Sequence, residues 1–156
     1  MTHRSAAGLQ GAYRIPARQL PPPQTLAQKQ GLRYERHVVA ELRRLMPGQV
    51  SKLEHNPWFG FTDRYGTGEC CPDILLWVPE GVVIVEVKLT YVPDALPKLF
   101  DLYCPVVSIA LDELVHPLLI CRNVTPDSPQ PVMSLKKALD GDDNVLQWLG
   151  HGHIQW

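Results

Sequence analysis

Two charged residues, Glu86 and Lys88, interrupt the otherwise apolar run of residues 82–89. Side chains alternate between the two faces of a strand, so a strand here places Glu86 and Lys88 on one face, together with Ile84. An unpaired charge in a core strand costs several kcal/mol, roughly, so this pair needs a partner or a function. Metal-assisted hydrolysis of a phosphodiester uses a carboxylate and an ammonium group placed side by side.

A second acid, Asp73, begins the preceding apolar segment, which a Pro-Glu-Gly turn separates from the first. The two segments predict an antiparallel hairpin. If Val78 lies opposite Val83, then Asp73 lies opposite Lys88 and shares the face of Glu86. A slip of one residue would move Asp73 to the other face, so the predicted site depends on the parity of strand pairing.

A third acid, Glu35, lies in a segment whose apolar residues recur at helical spacing until Pro47-Gly48 ends the pattern. This periodicity predicts a helix over residues 25–46. The predicted apolar stripe comprises Leu32, Val39, Leu42 and Met46. Glu35 lies on that stripe. A half-buried carboxylate there needs a metal ion, a hydrogen-bond network or a cation such as Lys88 as its partner.

Together these residues predict a catalytic set of Asp73, Glu86, Lys88 and Glu35. Asp73, Glu86 and the carbonyl of Val87 offer hard oxygen ligands for Mg²⁺, for which Mn²⁺ can substitute. Lys88 can orient or deprotonate the attacking water and neutralise charge on the phosphate. Glu35 can bind a second ion or accept a hydrogen bond from a metal-bound water.

The dipeptide Pro72-Asp73, followed after twelve residues by Glu86-Val87-Lys88, resembles the signature of the PD-(D/E)XK nuclease superfamily. The resemblance implies an α/β fold with a restriction-endonuclease-like αβββαβ core, in which helices flank a mixed central sheet. It implies a Mg²⁺-dependent DNA endonuclease, most similar to small phage or archaeal Holliday-junction resolvases. The expected roles are cleavage of junctions or flaps in phage or bacterial recombination, repair or replication. Such resolvases commonly act as dimers, so a homodimer is also implied.

Other functions remain open from the sequence. RecB-like exonucleases carry a Q-x-x-x-Y motif after the lysine, but Leu99 stands where the glutamine would precede Tyr103. A restriction-type endonuclease is a further enzymatic alternative. A non-catalytic DNA-binding or assembly module with a nuclease fold would keep the same elements without turnover. In the simplest alternative, Glu86 and Lys88 form a structural salt bridge on a solvated strand face.

The charge distribution is consistent with DNA as the partner. Residues 1–52 hold nine Lys or Arg against two acids, whereas the remainder holds six against fourteen. A basic segment beside an acidic body suits a protein that holds a polyanion and concentrates carboxylates. Candidate DNA-contacting residues are Arg33, Arg36, Arg64 and Lys98. Solvated surface charge explains the arginines equally well and explains Lys98 better. The aromatic loop at residues 56–68 either stacks on splayed bases or covers a sheet edge.

The 156 residues suit one domain, and no apolar run approaches the length that crosses a bilayer. We therefore expect a cytoplasmic protein with no membrane partner. The four cysteines lack zinc-site spacing and indicate free thiols. We expect an extended or mobile arm at residues 1–25 that belongs to no core, and a single nuclease domain at 26–156.

Within that domain the core is expected at about residues 31–121, followed by a helical extension at 132–150. Smaller elements are a short strand at 50–54, a helix from Pro93-Asp94 to about Tyr103, a buried strand at 106–110 and a short strand at 117–121. The terminal His151 and His153 indicate a flexible tail more than a metal site.

Overall fold

The computed structural model describes residues 5–123 and Pro126. The expected C-terminal helices at 132–150 and the tail with His151 and His153 lie outside the described residues. The described chain is a mixed α+β structure with two sheets and few helices, in agreement with the general α/β class expected from the sequence.

The first helix, α1, spans Leu26–Arg43 and lies where helical periodicity predicts it. Thr25 begins the helix with a capping box: its hydroxyl accepts from the Gln28 N–H, while the Gln28 side chain accepts from the Thr25 N–H. This reciprocal pair satisfies two backbone donors that the first turn would leave free. The buried residues of α1 are Tyr34, Val38, Val39 and Leu42. The buried stripe is therefore rotated from the predicted one, and Met46 is exposed.

A four-stranded sheet forms the centre of the molecule. Its strands are Lys52–His55, Ile74–Val78, Gly81–Thr90 and Val115–Asn123, which we label β2, β5, β6 and β7. They lie in the order β2-β5-β6-β7, with β6 antiparallel to β5 and parallel to β7. The predicted hairpin is thus confirmed, and the strands expected at 50–54 and 117–121 are present with shifted bounds.

The connection from β6 to β7 is mostly helical. It consists of α2 (Ala95–Lys98), a π-helical turn (Leu99–Tyr103) and α3 (Cys104–Leu111). The prediction of a buried strand at residues 106–110 is therefore wrong, because this segment lies in α3. The branched residues of this segment favour a strand, but a short apolar run does not distinguish a strand from a buried helix. Two parallel strands also need a long crossover between them, which α3 helps to form.

A second, three-stranded sheet replaces the loop predicted at residues 56–68. It consists of β1 (Gly11–Ile15), β3 (Trp58–Asp63) and β4 (Gly66–Cys70), in the order β1-β3-β4 and antiparallel throughout. One of the glycines that argued for a loop, Gly60, makes room for a neighbouring strand. A Cβ on Gly60 would lie 2.5 Å from the ring of Tyr13. The side chains of Phe59 and Phe61 are fully buried.

Residues 6–15 of the N-terminal segment pack against the rest of the described structure, contrary to the expectation that residues 1–25 belong to no core. β1 pairs along its length with β3, and Ala6 is buried. The Ala6 N–H donates to the carbonyl of Asp101 at 3.0 Å. Pro105 follows that carbonyl by four residues and has no N–H to offer it, so the arm supplies the donor that the helix lacks.

Two clusters of buried side chains lie on opposite faces of the central sheet. The first joins α1 to the face that carries Ile74, Leu76, Val83, Val85 and Val87. The second joins the other face to α3 and the three-stranded sheet, and includes Leu75, Ile84, Phe59 and Val106. No helix among residues 5–123 is long and apolar enough to cross a membrane.

Candidate active site

Glu86 and Lys88 lie on one face of β6, as strand alternation predicts. Lys88 Nζ lies 3.3 Å from Glu86 Oε1. Glu86 is only 2% exposed, so this is not an ion pair on a solvated strand face. Its second oxygen, Oε2, is buried and has no hydrogen-bond partner. The Lys88 side chain is 31% exposed, so it contacts both the buried Glu86 carboxylate and solvent.

Asp73 immediately precedes β5 and reaches across to β6. Its Oδ2 accepts a hydrogen bond from the backbone N–H of Val87 at 2.7 Å. Val87 lies between Glu86 and Lys88, so this bond ties Asp73 to the strand segment that carries both.

The parity of the hairpin is as predicted, but its register differs by two residues. Val78 lies opposite Gly81, not Val83, and Leu75 lies opposite Ile84. Continuing this register places Asp73 opposite Glu86 and not opposite Lys88. The tighter turn brings the two carboxylates closer together than the sequence suggested and leaves the shared face unchanged.

The electrostatics at Asp73 reflect this crowding. Burial raises the pKa of Asp73 well above its usual range, and the nearby carboxylates of Glu86 and Glu35 raise it further. The hydrogen bond from Val87 acts in the opposite direction, because it stabilises the charged form. Three acids therefore influence one another here.

Glu35 reaches the same place from α1. Its Oε2 lies 2.7 Å from Nε2 of His55, at the end of β2, and its carboxylate lies close enough to Asp73 to raise the pKa of that carboxyl. Sequence reasoning did not find His55, since nothing in a lone histidine at the end of a short strand marks it. Only the antiparallel pairing of β2 with β5, which places His55 opposite Ile74, brings it to the site.

A cleft of about 390 Å³ opens beside these residues. Glu35, Asp73, Val87 and Lys88 line it, together with Asn56, Trp58 and Cys71. Gln28 and Leu32 of α1 and Leu20 of the N-terminal arm also lie on its wall. We call it the active-site cleft.

The metal-binding capacity of the site rests on few side chains. Among residues 5–123, no three His, Cys, Asp or Glu side chains form a ready metal-binding group. Glu35 is engaged by His55 and Asp73, so the three acids do not form a cage around one ion. The set that fits a hard cation is smaller: Asp73, Glu86 with its unpartnered Oε2, and backbone carbonyl and water oxygens.

The candidate DNA-contacting residues lie elsewhere. Arg33, Arg36 and Arg64 are exposed, and none of them lines the cleft. Lys98 is half-buried, with its ammonium 5.2 Å from the ring centre of Tyr103. Its contact is thus a cation–π interaction.

Tyr103 is a further residue near the site to which the sequence assigned no role. Its hydroxyl donates to the carbonyl of Cys71 at 3.3 Å and so fixes the segment just before Asp73. Burial, with the nearby Glu86 and Asp73 carboxylates, raises the pKa of Tyr103 above its usual range. It therefore stays neutral and acts as a hydrogen-bond donor.

All four cysteines are free, as expected. Comparison of this chain with protein-family models, with curated proteins and with solved structures finds no match.

Proposed function

We propose that this protein is a metal-dependent DNA nuclease that hydrolyses phosphodiester bonds with Asp73, Glu86 and Lys88. One observation carries the proposal: two carboxylates are packed together in a largely buried setting, and one oxygen of Glu86 has no partner. Natural proteins satisfy buried polar atoms almost everywhere, so an orphaned carboxylate oxygen beside a second acid indicates a missing cation.

Mg²⁺, or Mn²⁺ in its place, is the cation that this donor set fits best. Asp73, Glu86 and the Val87 carbonyl would hold it through hard oxygen ligands, and water would complete its coordination. When bound, the ion supplies Lewis-acid stabilisation of the charge that develops on the phosphate.

The chain's own residues supply the remaining roles in the proposed reaction. Lys88 is held at 3.3 Å from Glu86 and reaches solvent, so its ammonium can orient the attacking water and offset charge on a phosphate oxygen. Glu35 and His55 form a hydrogen-bonded pair at the edge of the cleft. The Glu35 carboxylate lies near Asp73 and raises the pKa of that carboxyl.

The order of elements supports the same proposal. Leaving aside the three-stranded sheet, the chain runs α1, β2, β5, β6, a helical crossover and β7, an order compatible with the αβββαβ core that the resemblance to the PD-(D/E)XK superfamily implies. Glu35 lies on the first helix, Asp73 just before β5 and Glu86 on β6. The three-stranded sheet is an addition to that order.

The proposal is tested by incubating the protein with supercoiled, linear, single-stranded and four-way-junction DNA in Mg²⁺, Mn²⁺ or EDTA. We expect cleavage that requires the metal and is lost in Lys88→Ala. Lys52→Ala is the matched control, because Lys52 also forms a strand-borne ion pair, with Glu54 at 3.0 Å, but neither residue lines the cleft. No metal-dependent cleavage of any substrate, or equal cleavage by wild type and Lys88→Ala, would refute the proposal.

A further inference from the structure

The lining of the active-site cleft is chemically mixed. Glu35, Asp73 and Lys88 contribute polar groups, whereas Leu20, Leu32 and Trp58 contribute apolar surface. A carboxylate site for a small polar substrate would need only the polar groups. The apolar surface indicates a ligand that carries a flat or hydrophobic part next to its charged part.

The N-terminal arm holds Leu20 in position at the cleft. Between β1 and α1 the arm is fixed at one end by pairing of β1 with β3 and at the other by the capping box at Thr25. Midway, the guanidinium of Arg18 lies 5.0 Å from the ring centre of Trp58 and forms an ion pair with Glu69. Leu20, two residues further on, reaches the cleft wall.

Residues that line the cleft also carry hydrogen-bonding groups that the fold itself does not use. The indole N–H of Trp58 has no partner and is covered in the free protein, so a ligand reaches it after a local rearrangement of the cleft wall. Asn56, another lining residue, has a left-handed backbone (φ 56°), which asparagine tolerates better than most residues. Gln28 spends its side-chain oxygen on the helix cap, which leaves its amide NH₂ for a ligand. Donors of this kind pair with the ring nitrogens and carbonyls of nucleobases.

We propose that the cleft binds one unpaired nucleobase of a DNA strand beside the phosphate to be cleaved, so that the substrate class is single-stranded or locally unpaired DNA. This inference rests on the proposed nuclease function and names its substrate. The base lies against Leu20 and Leu32 and accepts a hydrogen bond from the Trp58 indole. The adjoining phosphate lies at Lys88.

The size of the cleft favours an unpaired base over a duplex. Small-molecule pockets range from about 300 to 1,000 Å³, and a volume of about 390 Å³ suits one nucleoside. A base pair with both backbones does not fit. A second cavity of about 440 Å³ shares Leu20, Gln28 and Leu32 with the first and continues along the proline run of the arm. The neighbouring nucleotide of the same strand lies in this second cavity.

Binding of labelled oligonucleotides tests the inference separately from cleavage. Fluorescence anisotropy in Ca²⁺ compares a single strand, its duplex, the duplex with one bulged nucleotide, and the same duplex with an abasic bulge. We expect the single strand and the bulged duplex to bind at least about tenfold more tightly than the plain duplex. The abasic bulge should lose most of that gain, since base contacts are worth about that factor.

Trp58→Phe removes the N–H while keeping an aromatic ring, and we expect it to weaken binding of the single strand and the bulged duplex by about tenfold. Trp77→Phe is the control, because Trp77 lies at the far end of β5 under Lys52. Equal binding of plain and bulged duplex, equal binding of the two bulges, or no effect of Trp58→Phe would overturn the inference. The nuclease proposal fails on a different result, the absence of cleavage on every substrate.

Discussion

Asp73 Oδ2 accepts a hydrogen bond from the backbone N–H of Val87 at 2.7 Å, although the two residues are fourteen positions apart. This contact joins the start of β5 to the segment of β6 between Glu86 and Lys88. It places the Asp73 carboxylate next to the Glu86 carboxylate, although the two negative charges repel each other. The two carboxylates therefore lie side by side in spite of electrostatic repulsion, which the proposed cation would relieve.

The first prediction concerns the stability cost of Asp73. Asp73→Asn keeps an oxygen to accept from Val87 but removes the charge, so we expect the metal-free protein to become more stable at pH 7 by about 1–2 kcal/mol. Added Mg²⁺ should raise the melting temperature of the wild type by mass action and leave the variant unchanged. Thermal denaturation with and without Mg²⁺ measures both effects. A variant less stable than wild type in EDTA would contradict the argument.

The same carboxyl predicts the direction of the pH dependence. Because the pKa of Asp73 is raised in the folded protein, the folded state binds this proton more tightly than the unfolded state does. Its contribution to stability is present at low pH and is lost as the pH rises through the raised value. Urea denaturation in EDTA across this range should show a stability difference between wild type and Asp73→Asn that grows with pH. A difference that stays constant with pH would assign the effect to packing.

The second prediction concerns Lys88. Lys88→Met keeps most of the stem but leaves Glu86 buried without its cation, so we expect a loss of about 1–3 kcal/mol in stability and about a hundredfold or more in cleavage. The double variant Glu86→Gln/Lys88→Met removes both charges and should regain stability without regaining activity. Lys52→Met, which loses an exposed ion pair, should change stability by less than about 1 kcal/mol. Full activity in Lys88→Met would show that the ammonium is dispensable.

The third prediction concerns the pair of Glu35 and His55. A double-mutant cycle with Glu35→Ala and His55→Ala should give a coupling of about 0.5–1.5 kcal/mol in urea denaturation, because the contact is largely shielded from solvent. The exposed pair of Glu41 and Arg44, at 3.0 Å on the same helix, provides the control cycle. We expect its coupling to stay within about 0.5 kcal/mol. Equal couplings would mean that the contact with His55 does not fix Glu35.

The fourth prediction concerns the start of β6. Gly81 has φ +134°, and a Cβ there would lie 2.3 Å from the backbone oxygen of Leu114. Gly81→Ala therefore adds a clash with backbone to conformational strain, and we expect a loss of about 3 kcal/mol or more. Gly66→Ala is the matched control, since Gly66 also has a positive φ but open space around its Cα. Chemical denaturation of the two variants separates the clash from the strain.

The fifth prediction concerns the thiols. Burial raises the pKa of Cys70, Cys71 and Cys104 to about 12 and that of Cys121 to about 11. Because the thiolate is the reactive form, iodoacetamide at pH 8 should modify these four residues slowly in the folded protein and rapidly in urea. Mass spectrometry after timed quenching measures the rates. Rapid modification of Cys71 in the folded protein would show that the cleft exposes it as thiolate.

Local patterns in the sequence determined several features of this protein. The helix α1, the β5–β6 hairpin, and the shared face of Glu86 and Lys88 follow from periodicity, which depends only on backbone geometry. The parity that places Asp73 on that face was also predictable. The residue opposite Asp73 was not predictable, because the length of the turn sets the register. Gly81 allows a tighter turn than the sequence suggested.

The tertiary structure alone decided the rest. The sequence predicts a strand at residues 106–110, but they form a helix. The crossover to a parallel strand needs a helix, and the apolar side chains of this segment are buried in a helix as they would be in a strand. Residues 56–68 read as a loop and form strands, because β1 pairs with β3 and accommodates its glycines. His55, Trp58 and Leu20 reach the site through contacts between segments distant in sequence. Such contacts depend on packing between elements, and no local spacing of residue types encodes them.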